Sequence, residues 1–172
     1  MSNIAELIGD YEKFIGDIDA GLITLGIDRH EVSMMDHVCY RVETEARYQE
    51  MLGKLANVAT LLGENEVSGR LIATFEFDEY LQAAGWTVPF IELPQPKEGS
   101  PYAEGLEHAE LVVIGGLERF LKRHENLPFS LKGMDKVVNP EAGLKTGGIS
   151  VKFHEQQLGA VVRIEKNMQN KG

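Results

Sequence analysis

The chain has little of several residue types, and each shortage excludes a class of protein. Cys39 is the one cysteine among 172 residues. That excludes an intramolecular disulfide and a zinc ribbon, because both need further thiol groups. No run of about 18 apolar residues occurs, so no segment is predicted to cross a membrane. The first residues lack the basic start of a signal peptide. Together these shortages predict a cytoplasmic protein.

Positive charge is also scarce. Lysine and arginine number 17 against 27 aspartates and glutamates, which gives a net charge of −10. Such a chain repels a phosphate backbone and shows no basic stripe, so we expect no nucleic-acid partner. The length suits one medium domain, or two small ones that share an interface. An apolar fraction of 43% and a charged fraction of 26% exclude a disordered, collagen-like or coiled-coil chain.

The hydrophobic pattern predicts a helical start followed by alternating strands and helices. Up to about residue 30, apolar residues recur at three- and four-residue steps, which predicts helix, and Gly26 is the expected end of this region. The later pattern predicts strands at 36–42, 70–77, 87–93, 107–114, 149–154 and 160–165, and helices at 43–62 and 117–124. The stretch 128–148 is irregular, although 136–139 could form a short strand. The loop 95–105, rich in Gly and Pro, is the predicted boundary between two halves.

Two short motifs recur in the same order in both halves. An acidic residue followed by histidine opens a strand at 36–37 and again at 107–108, with the histidines 71 residues apart. An Ile-Glu pair then occurs at 91–92 and at 164–165, with the glutamates 73 residues apart. Each half is too small to cover its own apolar face. We therefore expect duplicated halves that pack against each other.

Alternation along these strands separates an apolar face from a face that carries chemical groups. On the first strand, His37, Cys39 and Arg41 share one face, and apolar residues share the other. The corresponding face of the other three strands carries Glu92, His108 and Glu165. A sheet curved around this face would enclose a polar-lined cleft, with the helices on its outer side.

The candidate metal ligands are His37, Glu92, His108 and Glu165. Two neutral imidazoles and two carboxylates suit a divalent ion such as Zn²⁺, Ni²⁺, Mn²⁺ or Fe²⁺, and four ligands leave room for water or substrate. The alternative is a solvated sheet face, because charged side chains are mostly exposed. The repeat favours the metal site, since it gives each half one histidine and one glutamate at equivalent positions.

The same segments resemble the vicinal oxygen chelate superfamily, which includes glyoxalase I, extradiol dioxygenases, methylmalonyl-CoA epimerase and bleomycin-resistance proteins. The resemblance lies in DHVCYR at 36–41, FIEL at 90–93, EHAE at 107–110 and VRIE at 162–165. The chain as a whole resembles the bacterial YecM family within that superfamily.

The resemblance implies an α+β fold. Two paired βαβββ modules would form a curved mixed β-sheet around one cleft, after an N-terminal helical extension. It divides the chain into an extension at 1–33, a first module at 34–96 and a second module at 97–172. The two modules would form one structural unit.

The resemblance also implies roles for individual residues. His37 and Glu92 fall on the ligand positions of the first module, and His108 and Glu165 on those of the second. This set is similar to that of glyoxalase I, while the extradiol enzymes match only His37, His108 and Glu165, a set for Fe²⁺. Glu92 or Glu165 would also act as the catalytic base.

The function implied is that of a divalent-metal-dependent enzyme. A metal with two neighbouring open positions holds two oxygens of a small substrate and stabilises the charge of an enolate, in isomerase, lyase or dioxygenase chemistry. Arg41 and Arg163 lie on the predicted cleft face and could bind a substrate carboxylate or phosphate. They could instead form ordinary salt bridges with Glu110 or Glu76. A non-catalytic small-molecule-binding protein and a metal-free structural protein of the same fold are the alternatives.

Overall fold

The computed structural model describes residues 3–99 and 101–172. The chain begins with two helices, α1 (Ile4–Ile8) and α2 (Tyr11–Thr24), and a 3₁₀ turn (Arg29–Glu31). The side chain of Asp10 caps α2 by accepting a hydrogen bond from a backbone N–H of its first turn. The chain leaves α2 at Gly26, whose φ of 73° favours glycine. The predicted N-terminal helical region is confirmed.

The remaining elements alternate between strand and helix. In the first half they are β1 (Val32–Arg41), α3 (Glu45–Leu55), β2 (Ala59–Val67), β3 (Arg70–Ala83) and β4 (Trp86–Pro94). In the second half they are β5 (Gly105–Val113), α4 (Leu117–Arg123), β6 (Ala142–Thr146), β7 (Ile149–His154) and α5 (Leu158–Gln169). No helix in the described part of the chain has the length and apolar character needed to cross a membrane.

The seven strands described form one mixed sheet in the order β2-β3-β4-β1-β5-β7-β6. β1 and β5 pair antiparallel at the centre and join the two halves. Beside them, β4 runs parallel to β1, and β7 runs parallel to β5 in the same way. The helices and the mixed sheet confirm the predicted α+β class.

The two faces of the sheet have different roles. One face packs under α2, α3 and α4 around the main core, where Ile15, Tyr48 and Phe120 are fully buried. Val38 and Ile91 belong to this core, as their alternation predicted. The opposite face lines a cleft of about 710 Å³. His37, Cys39 and Arg41 line that cleft, so the predicted division of the strand faces is confirmed.

The strand predicted at 160–165 is wrong, because these residues lie in α5. Leu158, Val161 and Val162 follow helical spacing and are buried. This helix crosses the cleft face and packs on Phe90 of β4. The alternation of Val162 and Ile164 also fits a strand, but Ile164 is 38% exposed.

The second half has one strand fewer than the first in the described residues. Because β7 pairs with β5 as β4 pairs with β1, β7 corresponds to β4, and β6 to β3. Ser130 forms an isolated β-bridge with Gly143 of β6, at the position where β2 pairs with β3 in the first half. The final helix is therefore an addition beyond a βαββ module, rather than its last strand.

Other helices and strands also differ from the sequence prediction. The helix predicted at 43–62 ends at Leu55, and β2 begins at Ala59. β2 is an edge strand with a mixed, largely exposed pattern, so alternation does not show it. β6 lies within 128–148, a stretch for which the sequence pattern predicts no regular structure. Residues 136–139, where a short strand was considered, form none.

Candidate metal centre in the cleft

Three adjacent strands bring two histidines and two glutamates together. His37 of β1 lies opposite Glu110 of β5, while Cys39 lies opposite Glu92 of β4 and opposite His108 of β5. Residues that face each other across neighbouring strands project to the same side of a sheet. Ligand atoms of His37, Glu92, His108 and Glu110 all lie within 4.8 Å of one another. We call these four residues the His/Glu cluster.

The cluster is built around two unpaired nitrogens. Nε2 of His37 lies 3.5 Å from Oε2 of Glu92 and 3.5 Å from Oε1 of Glu110. Nε2 of His108 lies 3.3 Å from the same oxygen of Glu110. Both histidines are buried, and neither Nε2 atom has a hydrogen-bond partner among the described residues. Leaving such atoms unpaired costs free energy, so this donor set fits a cation between the four side chains.

The charges in the cluster shift its pKa values strongly. Burial lowers the pKa of His37, but the carboxylates of Glu110 and Glu92 outweigh burial and hold the pKa well above its usual value. Burial also lowers the pKa of His108, but Cys39 and the neighbouring glutamates outweigh burial and hold this pKa well above its usual value. Burial raises the pKa of Glu110, but the histidines outweigh it and hold the pKa well below the usual value. A divalent cation would compete with protons for the ring nitrogens of these histidines, because only neutral imidazoles bind a metal.

Asp36 orients the ring of His37. The register between β1 and β5 shifts between Met35 and His37, so Asp36 is an extra residue and its side chain contacts that of its neighbour. Oδ2 of Asp36 lies 3.0 Å from Nδ1 of His37 and accepts a hydrogen bond of 2.9 Å from the backbone N–H of Leu158. A carboxylate behind a histidine in this way fixes the other ring nitrogen toward a metal.

Four residues of this site were not among the predicted site residues: Asp36, Glu110, Lys152 and His154. Nε2 of His154 lies 3.1 Å from Oε2 of Glu110, and Nζ of Lys152 lies 3.4 Å from Oε1 of Glu110. Alternation along β5 could have indicated Glu110, because it follows His108 by two residues and therefore lies on the same face of the strand. The Ile-Glu repeat in the sequence indicated Glu165 instead.

The structure does not bring Glu165 into the His/Glu cluster. It lies on α5, lines the same cleft and accepts a hydrogen bond of 3.2 Å from Nδ2 of Asn65. Burial, and then the charge of Glu92, raise the pKa of Glu165. By strand register the counterpart of Glu92 is Lys152. Glu92 pairs with the residue two after His37, and Lys152 pairs with Glu110, two after His108.

The two predicted substrate-binding arginines lie in different cavities. Arg41 is 8% exposed and lines the cleft, where its Nε donates to Glu107 while its buried Nη1 has no partner among the described residues. Arg163 lines a separate cavity of about 400 Å³ beside α5. Among the described residues, neither arginine forms an ion pair with Glu110 or Glu76.

Comparison with known sequences gives a family match. A family model described as YecM protein matches residues 3–165. Protein YecM of Escherichia coli is 26% identical over 182 residues, which cover 97% of this chain and 96% of that protein. An uncharacterised protein of Haemophilus influenzae is 33% identical over 115 residues, which cover 66% of this chain and 59% of that protein.

Two solved structures extend the comparison to the fold. A structural genomics target, Protein EC4020, superposes with a TM-score of 0.77 at 29% identity, covering 96% of this chain and 97% of its own. Streptomyces coelicolor methylmalonyl-CoA epimerase in complex with 2-nitronate-propionyl-CoA superposes with a TM-score of 0.54 at 11% identity, covering 73% of this chain and 98% of its own. The predicted vicinal oxygen chelate fold is confirmed.

Proposed function

The chain belongs to the YecM family, and we propose that it is a divalent-metal-dependent enzyme acting on a small, oxygen-rich substrate. The proposed ligands are His37, Glu92, His108 and Glu110. The observation that carries the proposal is the pair of buried, unpartnered Nε2 atoms that face two carboxylates. Two imidazoles and two carboxylates suit Zn²⁺, Ni²⁺, Mn²⁺ or Fe²⁺. Glu110 takes the place in this set that the sequence assigned to Glu165.

A bound divalent ion would supply Lewis acidity, which stabilises negative charge on a substrate oxygen. A carboxylate of the chain would act as the general base and take a proton from the substrate. Glu165 faces the cleft, and its raised pKa brings the carboxylate closer to the working pH of a general base. Glu92 has the most accessible side chain of the four proposed ligands, at 17% exposed, and is the second candidate for this role. Isomerase, lyase or dioxygenase chemistry would follow from such a site.

Arg41 is proposed to hold an anionic end of the substrate. It follows His37 by four residues on the same face of β1, which places the two about 13 Å apart along the strand. Its buried Nη1 is free to donate to a carboxylate or phosphate. A cleft of about 710 Å³ has the size of a small-molecule site. Arg163 could contact a substrate only from the neighbouring cavity.

Metal content tests the proposal. Elemental mass spectrometry of protein equilibrated with Zn²⁺, Ni²⁺ or Mn²⁺ should find one ion per chain. His37→Ala and Glu92→Gln should each weaken metal binding by more than roughly 100-fold, beyond the usual effect of residues behind the ligands. Metal at about 100 times its Kd should stabilise the wild-type protein by about 2.7 kcal/mol against unfolding.

His30→Ala is the matched control. The side chain of His30 is 97% exposed and belongs to the 3₁₀ turn, outside the cleft. That variant should keep full metal loading and the full stabilisation. Equal loading of His37→Ala and His30→Ala, or a melting temperature that no metal shifts, would contradict the proposal and favour a non-catalytic role for the cleft.

A further inference from the structure

The wall that α5 forms along the cleft is largely apolar. Residues at spacings of three and four lie on one face of this helix, toward the cleft: Leu158, Val161, Glu165 and Met168. Glu165 is the single charged residue that α5 contributes to the described lining of the cleft. We call the other three residues the apolar stripe.

The apolar stripe runs from the His/Glu cluster to the mouth of the cleft. At its start, the backbone N–H of Leu158 donates to Asp36, the residue whose carboxylate contacts His37. Met168 follows at a distance of about 15 Å along the helix axis, and its side chain is 55% exposed. Between them, Val161 lies outside the hydrophobic clusters formed by the described residues. Its side chain is therefore available to a molecule in the cleft.

Two other parts of the chain place apolar side chains along the same cleft. Val67 follows Asn65 by two residues on β2, so it lies on the face from which Asn65 contacts Glu165. Val137 lies in the loop before β6, lines the cleft and is 92% exposed. Single exposed apolar residues are common on protein surfaces, but several that line one cleft indicate a binding surface.

We propose that the substrate has an apolar body, an alkyl chain or an aryl ring, which lies along the apolar stripe while its oxygen-rich end reaches the His/Glu cluster. This inference rests on the proposed function and concerns the part of the substrate that lies away from the ion. A molecule held at the cluster has the apolar stripe beside it from the cluster to the mouth of the cleft. Each methylene buried there would raise its affinity about fourfold.

A hydroxylated or charged body fits this wall less well. The polar groups of the metal site lie on the sheet, which forms the floor of the cleft. On the wall, α5 offers only Glu165 and Gln169 as polar partners among the described side chains. A sugar-like body would lose water from hydroxyl groups that the wall cannot pair, and an anionic body beside α5 would be repelled by Glu165.

Acetohydroxamate and octanohydroxamate are a matched pair of probes, because they share one metal-binding head and differ in chain length. Each is titrated by calorimetry into the Zn²⁺-loaded protein. Octanohydroxamate should bind at least about 100-fold more tightly, as the burial of about four methylenes would give. Both probes lack an anionic end, so the role proposed for Arg41 does not affect the comparison.

Two substitutions in the apolar stripe test where the chain lies. Val161→Thr and Met168→Gln keep the size of each side chain and add polar atoms. Combined in one protein, they should weaken octanohydroxamate binding by at least about tenfold, the worth of burying roughly two methylenes. They should leave the binding of Zn²⁺ and acetohydroxamate unchanged. The matched control is Ile164→Thr, on another face of α5, which should bind both probes as the wild type does.

Three outcomes would overturn the inference alone. The first is equal affinity of the Zn²⁺-loaded wild type for the two probes. The second is an equal loss of affinity for both probes in the Val161→Thr, Met168→Gln protein, because the substitutions would then act on the metal site. The third is tighter octanohydroxamate binding that these substitutions do not reduce, because the chain would then lie elsewhere. A wild-type protein that binds no Zn²⁺ would overturn the proposed function with it.

Discussion

The two halves of the sheet begin alike and end differently. β1 and β5 are each followed by a helix, and each carries a histidine into the cleft. The strand parallel to β1 contributes Glu92, whereas the strand parallel to β5 contributes Lys152 at the same register position. The second half takes its carboxylate from Glu110, on β5 itself. The repeated strand pairing thus places one histidine at the same position in each half, while the charged residues beside it differ.

The comparison also shows that matching letters do not ensure matching structure. Ile91 pairs with β1 and β3 in the middle of the sheet, while Ile164 lies on a helix and is 38% exposed. The two Ile-Glu pairs have similar sequence offsets to their histidines. Strand pairing decides which residues are equivalent, because it fixes where each side chain projects.

The largest difference between the halves should appear in stability. Ile91→Ala leaves a cavity in the main core and should lower the free energy of unfolding by about 2–5 kcal/mol. Ile164→Ala, at a half-exposed helix position, should change it by less than about 0.5 kcal/mol. Urea unfolding of the two variants measures this contrast. Equal losses would show that residues 160–165 are packed as a core strand.

The two glutamates of the repeat should differ in metal binding. Glu92→Gln removes a proposed ligand and should weaken Zn²⁺ binding by more than roughly 100-fold, beyond the loss typical of supporting residues. Glu165→Gln should leave Zn²⁺ affinity close to that of the wild type, because Glu165 lies outside the His/Glu cluster. Competition with a chromophoric chelator measures both. A comparable loss in Glu165→Gln would restore that residue as the fourth ligand.

The acidic residues before the two histidines provide a finer contrast. Asp36→Asn removes the charge 3.0 Å behind Nδ1 of His37 and should weaken Zn²⁺ binding by about 10–100-fold. Glu107→Gln should have a smaller effect, since its carboxylate lies 3.6 Å from Nδ1 of His108 and also pairs with Arg41. The melting temperature of each metal-free variant separates loss of fold from loss of affinity. Equal effects would mean that the two histidines are held alike.

Much of the fold could be predicted because its signals are local. The helical spacing before Gly26, the alternation in β1 and the turn residues between the halves each reflect contacts within a few positions. β2 and β6 are the edge strands of the sheet. β2 was missed because its burial pattern is mixed, whereas β6 alternates but spans only five residues, with a glycine among them. A strand was wrongly predicted at 160–165 because the alternation of Val162 and Ile164 fits the period of a strand, although Leu158, Val161 and Val162 follow helical spacing.

Part of the candidate site could likewise be predicted from the sequence, and part could not. Sequence by itself determined that His37, Cys39 and Arg41 share a face, since alternation along a strand follows from backbone geometry alone. It also determined that a histidine with acidic neighbours occurs in each half. Only the tertiary structure decided that Glu110, rather than Glu165, lies beside His37 and His108 and that Lys152 lies beside Glu110, because the register between strands depends on the packing of the whole sheet.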